Sequence, residues 1–304
     1  MSASKESDTK ICCASCGIAG GDDIKLKKCT ACYLVKYCSV KCQKDHWSKH
    51  KRACKKRAAE LKDELLFKQP ESSYLGDCPI CCLPIPIDPD KSTLYSCCGK
   101  IICNGCDFAN QKRETERRLQ QKCPFCRAVA PKTKEEFNGR IMKRIEANDP
   151  VAMRHLGMIR QAEGDYGIAF EYWTKAAALG DAKARFQLST LYGEGKGVEK
   201  DDRKFLHHTE QAAIGGHPIA RHNLGCLEWR NDRTDRAAKH WIIASKLGYD
   251  MSLEAVKNRY KDGIVSKEDF TAALRGYQTA TEATKSPQRE EAYAFDLTKQ
   301  TASM

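Results

Sequence analysis

Apolar residues recur at helical spacing through the second half of the chain. The stretch TKEEFNGRIMKRIEANDP places Thr133 and Glu136 at the spacing of a capping box, and Asn-Asp-Pro ends it at residues 148–150. Three apolar residues between these limits share one helical face, namely Phe137, Ile141 and Ile145. The pattern predicts a linker helix within residues 128–149.

Beyond this helix the chain repeats itself. AMRHLG at residue 152 aligns with ARFQLS at 184 and ARHNLG at 220, while AAALG, AAIGG and ASKLG end at residues 180, 216 and 248. The offsets are 32 or 36 residues, a period typical of stacked helical pairs. Residues 150–280 are therefore predicted to form an all-α solenoid with three clear repeats, a degenerate fourth and a concave partner-binding surface.

The Ala-x3-Leu-Gly element, GEGKGVEKD and the paired alanines before glycine resemble Sel-1-like repeats, which are relatives of the tetratricopeptide type. The resemblance implies that a protein substrate or partner docks on the repeats. Five aromatic residues are expected to fill the interhelical core, namely Tyr166, Trp173, Tyr192, Trp229 and Trp241. Residues 281–304 lose the repeat, and we expect this C-terminal tail to be mobile at its end.

The cysteines divide the chain differently from the apolar pattern. Of 18 cysteines, all but Cys226 lie between Cys12 and Cys126. The sequence shows neither a signal peptide nor an apolar run long enough to cross a membrane, so we expect an intracellular protein, in the cytoplasm or alternatively the nucleus. Because disulfides do not persist there, Cys-x-x-Cys pairs indicate metal ligands, and zinc is the expected ion.

Charge is concentrated near the N-terminus, where residues 1–70 carry +8 of the formal net charge of +12. A basic cluster there suggests nucleic-acid binding, and it consists of Lys49, Lys51, Arg52, Lys55, Lys56 and Arg57. A solvated helical face explains the cluster better, since no aromatic residues that could stack on bases alternate with these cations. We therefore do not expect a nucleic-acid partner, and nuclear regulation through this basic region is the weakest hypothesis.

The first cysteine module spans residues 12–57, between a flexible N-terminus (1–11) and a predicted linker helix (58–77). Its eight candidate ligands, enough for two tetrahedral zinc sites, are Cys13, Cys16, Cys29, Cys32, Cys38, Cys42, His50 and Cys54. His50 and Cys54 are four residues apart, so a helix would present both to the same ion.

The ligand spacing and the sequence CYLVKYCSVKCQKDHWSKHKRAC resemble those of a MYND zinc finger. The resemblance implies interleaved sites, one formed by Cys13, Cys16, Cys38 and Cys42, the other by Cys29, Cys32, His50 and Cys54. It also implies binding of short proline-containing peptides, for which Tyr37 and Trp47 could line a groove. For Trp47 we favour a core position, because small zinc folds need such aromatics inside. His46 is left outside the ligand set.

The second module spans residues 78–127, and its cysteine pairs resemble a RING finger. Its ligands would be Cys78, Cys81, Cys97, Cys98, Cys103, Cys106, Cys123 and Cys126. Lys100 stands where common RING fingers have a ligating histidine, and a protonated ammonium has no lone pair for zinc. An all-cysteine RING variant, in which Cys97 supplies the missing ligand and Gly99 relaxes the turn, fits the spacing. A three-cysteine site completed by water remains the alternative.

The RING resemblance implies cross-bracing: Cys78, Cys81, Cys103 and Cys106 hold one zinc, and Cys97, Cys98, Cys123 and Cys126 hold another. It further implies that Ile80, Leu83 and Pro124 contact a ubiquitin-conjugating enzyme. Arg127 takes the position of the arginine that donates to both this enzyme and ubiquitin, a task suited to a forked guanidinium. Two departures weaken the resemblance: the usual tryptophan is missing after Cys106, and the 16-residue insert there reads as a charged helix.

Together these patterns predict two small cross-braced zinc fingers with four zinc ions, followed by an all-α helical-repeat solenoid. The leading functional hypothesis is a RING-type ubiquitin ligase, which would position a ubiquitin thioester for transfer to a protein held by the repeats or the MYND finger. The alternative is a non-enzymatic adaptor, in which both fingers and the solenoid bind proteins.

Overall fold

The computed structural model describes residues 12–302, with side chains up to residue 296. The expected flexible segment 1–11 and the last two residues of the tail lie outside this range. The chain forms two compact units, which divide between Lys68 and Gln69. No helix among the described residues is long and apolar enough to span a bilayer.

The first unit contains a two-stranded sheet and one long helix. Strand β1 (Lys27–Lys28) pairs antiparallel with β2 (Lys36–Tyr37), with Lys27 opposite Tyr37. Helix α1 (Val40–Leu66) begins at Ser39, whose hydroxyl accepts a hydrogen bond from the Cys42 amide. The buried residues of its core are four cysteines and Tyr37, so cysteine side chains make up most of this core.

Helix α1 differs from the separate linker helix predicted over residues 58–77. It runs without a break from the finger to Leu66, and residues 67–77 are not helical. The stretch KKRAAELKDELL contains strong helix formers and no breaker, so nothing ends the helix after the last ligand. Pro70 follows a few residues later and disfavours helical backbone just before it.

The second unit starts with the second finger, by which we mean residues 78–127. Strand β3 (Ser92–Tyr95) pairs antiparallel with β4 (Lys100–Cys103), and helix α2 (Asn104–Glu116) follows. Gly99 lies in the turn between the strands with φ of +67°, the left-handed conformation that glycine adopts without strain. Its amide donates to the Tyr95 carbonyl at 2.8 Å, which closes the turn.

Helices α3 to α11 form the solenoid. Their bounds are Lys134–Glu146 (α3), Pro150–Ala162 (α4), Tyr166–Ala178 (α5), Ala182–Glu194 (α6), Asp202–Ile214 (α7), Pro218–Arg230 (α8), Thr234–Lys246 (α9), Asp250–Lys261 (α10) and Lys267–Glu282 (α11). Helices α4 to α9 pack as the pairs α4–α5, α6–α7 and α8–α9, which stack on one another, and α9 packs against both α10 and α11. The structure therefore has the helical-pair architecture that the period predicts.

A large residue packs against a glycine in two of the three helical pairs, α4–α5 and α8–α9. Trp173 packs against Gly157 and Trp241 against Gly225, and a Cβ on either glycine would lie 2.4 Å from the indole nitrogen. In the middle repeat, Ser189 and Thr209 occupy the equivalent positions, so a small and a medium side chain replace the glycine and the tryptophan. The glycine–tryptophan contact is therefore a feature of the first and third pairs, and the middle pair packs with smaller side chains at these positions.

The C-terminal tail contains a helix, α12 (Pro287–Ala302), which packs along α2 of the second finger. Phe295 contacts Phe108 with ring centroids 5.0 Å apart, and Ala292 is buried. The repeat pattern ends before this segment because α12 packs on the finger and not on another repeat. The predicted tail is therefore ordered over the part of it that the structure describes.

Candidate metal centres and the surfaces around them

The structure gathers sixteen cysteine and histidine side chains into four groups. In each group the four possible ligand atoms lie within 4.8 Å of one another. The groups are Cys13–Cys16–Cys38–Cys42, Cys29–Cys32–His50–Cys54, Cys78–Cys81–Cys103–Cys106 and Cys97–Cys98–Cys123–Cys126. They are the interleaved sets that the two finger resemblances imply.

Sulfur spacing within the groups fits tetrahedral zinc. A zinc–sulfur bond of 2.3 Å gives a tetrahedron with edges of about 3.8 Å. The Sγ atoms of Cys16 and Cys38 lie 3.6 Å apart, those of Cys29 and Cys54 3.7 Å, and those of Cys81 and Cys103 3.8 Å. A disulfide would need a separation near 2.05 Å, and all these cysteines are free thiols. The donor sets are therefore compatible with four zinc ions.

The adjacent cysteines of the second finger both face the same group. Cys97 Sγ lies 3.3 Å from Cys126 Sγ, and Cys98 Sγ lies 3.8 Å from Cys123 Sγ. Lys100 instead extends its ammonium over the Phe125 ring, 5.7 Å from the ring centroid. This geometry provides four sulfur donors, so it does not require the water ligand of the three-cysteine alternative.

In the first finger, helix α1 presents the imidazole ligand. His50 Nε2 lies 3.3 Å from Cys32 Sγ, on the helical face shared with Cys54. His46 stacks on His50 with centroids 5.8 Å apart, and its Nδ1 is hydrogen-bonded to the buried Tyr37 hydroxyl at 3.1 Å. His46 thus supports the ligand ring from outside the metal group.

Local donors favour thiolates at several ligands. Burial raises the pKa of Cys81, but the Leu83 amide and the Arg289 guanidinium outweigh burial and lower this pKa to about 7. Burial also raises the pKa of Cys29, where the Cys32 and Ala31 amides overcome it and lower the pKa to about 6. Since zinc binds the thiolate form, amides directed at the sulfurs prepare these ligands for the metal.

Arg127 makes its contacts within the second finger. Its guanidinium donates to Glu114 Oε1 at 3.0 Å and to Asn110 Oδ1 at 3.0 Å, although its side chain is half exposed. The Glu114 side chain is 1% exposed and also accepts from the Lys122 amide at 2.9 Å. Arg127 therefore neutralises a buried carboxylate that joins α2 to the last ligand loop.

The three other residues assigned to a conjugating enzyme have different surroundings. Ile80 is 42% exposed, whereas Leu83 and Pro124 are half-buried. The Leu83 carbonyl accepts a hydrogen bond from Arg289 of α12 at 3.2 Å. Phe125, which we did not single out from the sequence, is 44% exposed beside Pro124. The sequence feature that could have identified Phe125 is its position between the last two ligands.

Trp47 and Tyr37 differ in a way that corrects one expectation. Tyr37 is 3% exposed and belongs to the core, as a small zinc fold requires. Trp47 is 41% exposed, so the core position that we favoured for it is wrong. The cysteine-rich core of this finger is already filled by one aromatic residue. Val40, seven residues before Trp47 on α1, is also exposed and shares its helical face.

The solenoid is contacted by a segment of its own chain, residues 72–74. The Tyr74 ring stacks on His217 at 4.5 Å, and Phe186 stacks on the same imidazole at 4.4 Å. Tyr74 also donates its amide hydrogen to the Gly216 carbonyl. The close approach needs glycine here, because a Cβ on Gly216 would lie 2.8 Å from the Ser72 carbonyl oxygen. The solenoid surface around His217 is therefore covered from within the chain.

A cavity of about 580 Å³ opens next to this segment. Residues 69–73 and 84–88 form most of one side, and the ends of α9 and α11 form the other. Its lining is mainly apolar and includes Ile85, Ile87 and Leu247.

The comparisons with known proteins agree with this architecture in part. The MYND finger family matches residues 13–54, and the Sel1 repeat family matches residues 150–181 and 182–217. The human histone-lysine N-methyltransferase SMYD3 is 58% identical over 31 residues, which cover 10% of this chain and 7% of that protein. The chain thus spans only a small part of this relative.

Two solved structures are also similar. One is c5321, a protective antigen of uropathogenic Escherichia coli with an SLR fold, at 26% identity over 55% of this chain and 36% of the antigen, with a TM-score of 0.39. The other is a Sel1 repeat protein from Oxalobacter formigenes, at 21% identity over 59% of this chain and 72% of that protein, with a TM-score of 0.43.

The class of the protein follows from the family matches and its own helices and clusters. It is a helical-repeat solenoid of the Sel1 type that carries cysteine clusters suited to zinc in its N-terminal part, and the first of its fingers is a MYND finger.

Proposed function

We propose that the protein is a non-enzymatic adaptor that binds one protein through its MYND finger and another through its second unit. MYND fingers and Sel1 repeats are protein-interaction modules, and both are present. The observation that carries the proposal is the pair of exposed apolar residues Val40 and Trp47 on α1. The two residues lie two turns apart on one face of α1, and aromatic side chains are preferred anchors in protein interfaces.

The surroundings of Arg127 also support an adaptor. A ligase of the RING type would need this guanidinium to bridge the conjugating enzyme and ubiquitin. In the free protein its donors are directed at Asn110 and at the buried carboxylate of Glu114. Releasing Arg127 would take the closest cation away from the buried Glu114 carboxylate, which costs free energy. We therefore assign Arg127 a supporting role within the finger.

Ubiquitin ligation is the second candidate function, and one observation favours it. The second finger groups its cysteines in the cross-braced order of RING fingers, and Ile80 is exposed between its first two ligands. A conjugating enzyme could contact Ile80 without rearranging the finger.

A transfer assay with the zinc-loaded full chain separates the two functions. The chain would be incubated with ubiquitin-activating enzyme, a panel of conjugating enzymes and ubiquitin. The adaptor proposal expects no ubiquitin chains with any of them. Chains that disappear in Ile80→Ala but persist in Ile18→Ala, a control at an exposed isoleucine of the first finger, would establish the ligase instead.

Binding of proline-containing peptides tests the adaptor directly. An array of such peptides would be probed with the full chain, with Trp47→Ala, and with Leu65→Ala as a control at an exposed apolar position near the end of α1. The proposal expects peptides that bind the full chain and the control but not Trp47→Ala. Equal binding by all three proteins would remove Trp47 from the peptide site.

A further inference from the structure

Helix α12 contacts the second finger through Arg289. The guanidinium donates to the Pro84 carbonyl at 2.7 Å, to the Leu83 carbonyl at 3.2 Å and to Cys81 Sγ at 3.4 Å. It also donates to the Thr284 carbonyl at 2.7 Å, just before α12. One side chain thus joins the loop after the second ligand to the C-terminal helix.

The finger has a gap that admits this helix. Gly105 lies between the ligands Cys103 and Cys106, and a Cβ there would lie 2.8 Å from the Arg289 backbone nitrogen and 2.9 Å from its Cα. Because any other residue would push the start of α12 away from the metal group, Gly105 and Arg289 are complementary in shape as well as in hydrogen bonding.

Further contacts fix α12 along the finger. Phe295 packs on Phe108, and the Lys112 ammonium lies 2.6 Å from Glu291. Lys91 lies over the Tyr293 ring, 5.3 Å from its centroid. Exposed ion pairs such as Lys112–Glu291 contribute little, so the aromatic contact, the buried Ala292 and Arg289 matter more for the docking.

A cation at this position has a specific electrostatic effect. Four thiolates around one Zn²⁺ leave a net charge of −2, and a hydrogen-bonded guanidinium reduces it without competing for the metal. Groups that hydrogen-bond to metal ligands orient them, and removing such a group typically weakens metal binding by about 10–100-fold. A guanidinium hydrogen bond to a thiolate is also charge-assisted, which makes it stronger than a neutral one.

We propose that Arg289 is a positioning residue of the zinc site formed by Cys78, Cys81, Cys103 and Cys106, so that zinc retention at this site depends on the docking of α12. The dependence runs in both directions, because the loop that receives Arg289 is held in place by the zinc ligands. The C-terminal helix and the metal content of the second finger are thereby linked.

Zinc transfer from the full chain to a chromophoric chelator tests this. Arg289→Met removes the hydrogen bonds, and Arg275→Met removes an exposed arginine of α11 as the matched control. We expect Arg289→Met to release one of four zinc equivalents at least about ten times faster than the unmodified chain, and Arg275→Met to match that chain. Release of all four equivalents at unchanged rates from Arg289→Met would overturn the proposal.

A second variant keeps the test decisive if Arg289→Met does not fold. Phe295→Ala weakens the docking of α12 while Arg289 and every ligand remain. The same single equivalent should leave faster, and amide hydrogen exchange in α12 should rise with it. Faster exchange in α12 without faster zinc release would show that docking and metal retention are independent, which contradicts the proposal.

Discussion

The first finger and the second finger group their ligands in the same interleaved way, but their surroundings differ. In the first finger a long helix, α1, supplies ligands and then extends past them with a largely exposed surface. In the second finger, α12 packs along α2, and Arg289 donates a hydrogen bond to the ligand Cys81. Residues 72–74, which precede this finger in the chain, contact the solenoid. The same interleaved ligand pattern therefore occurs in the first finger, which has an exposed aromatic residue, and in the second finger, which packs against other elements of its unit.

The difference shows what a ligand pattern determines and what it leaves open. Zinc–sulfur geometry fixes how the four ligands are arranged around the ion, because tetrahedral coordination restricts the bond lengths and angles. The outward-facing residues decide whether a finger keeps an exposed aromatic residue or is contacted by another helix of its own unit. Trp47 and Arg289 are the two residues that distinguish these outcomes here.

Removing zinc should give the largest effect. Each structural zinc contributes about 10–16 kcal/mol of apparent binding free energy in small fingers, against about 5–15 kcal/mol for the whole stability of a typical domain. With a strong chelator, hydrogen exchange should become fast in residues 13–54 and 78–126 but stay slow in α4 to α9. Fast exchange throughout the solenoid would show that the repeats also depend on metal.

Arg127→Met should destabilise the second finger by about 1–3 kcal/mol, because the buried Glu114 carboxylate loses a charged partner. Exposure of Arg127 keeps the effect below that of a fully buried pair. Lys55→Met, at the exposed residue after the last ligand of the first finger, is the matched control and should change stability by less than about 0.5 kcal/mol. Denaturation followed by hydrogen exchange would measure both, and equal effects would contradict the supporting role of Arg127.

Acid should weaken the contact between Tyr74 and the solenoid through His217. Burial lowers the pKa of His217 to about 3, with help from Lys183 and Arg154, and its Nδ1 accepts the Ala220 amide hydrogen at 3.2 Å. Below pH 6.5 the unfolded chain binds a proton here that the folded chain does not, so stability falls as the pH falls. Between pH 7 and 5 this removes about 1–2 kcal/mol.

His217→Asn provides the control for this pH dependence. Asparagine also caps helices but does not titrate in this range. The free energy of unfolding of the variant should therefore fall less steeply between pH 7 and 5 than that of the unmodified chain. Parallel pH profiles would assign the acid sensitivity to other groups.

Trp47→Ala should have the smallest effect on stability, within about 0.5 kcal/mol, because the side chain is exposed. Tyr37→Ala in the same finger should destabilise it by several times as much, since Tyr37 is buried and hydrogen-bonded to His46. Thermal unfolding of the two variants would compare them. A large loss of stability in Trp47→Ala would restore the core position that the sequence favoured.

Local features of the sequence predicted much of this structure. The resemblance to known zinc fingers implied which cysteines come together, and Gly99 marked the turn that lets Cys97 and Cys98 face one group. The 32- and 36-residue offsets predicted the stacked helical pairs. Each of these signals comes from residues close in sequence or from a repeated motif.

Contacts between distant segments left no such signal. Cys81 and Arg289 are 208 positions apart, and neither the loss of the repeat after residue 280 nor a single arginine indicates that a helix docks on the finger. Tyr74 stacking on His217 is equally invisible in the sequence. The position of Arg127 after the last ligand drew attention to it, but its partner Glu114 lies in the insert, where the sequence predicted only a charged helix.

The central claim is that interleaved ligands form four zinc sites, and the zinc content of the protein tests this claim most directly. Elemental analysis of the freshly purified full chain should give four zinc equivalents, and Cys97→Ser should lower zinc occupancy at the Cys97–Cys98–Cys123–Cys126 site alone, with the other three equivalents retained. Substantially fewer than four equivalents in the unmodified chain, or a Cys97–Cys98 disulfide found by mass spectrometry of that chain, would contradict the account.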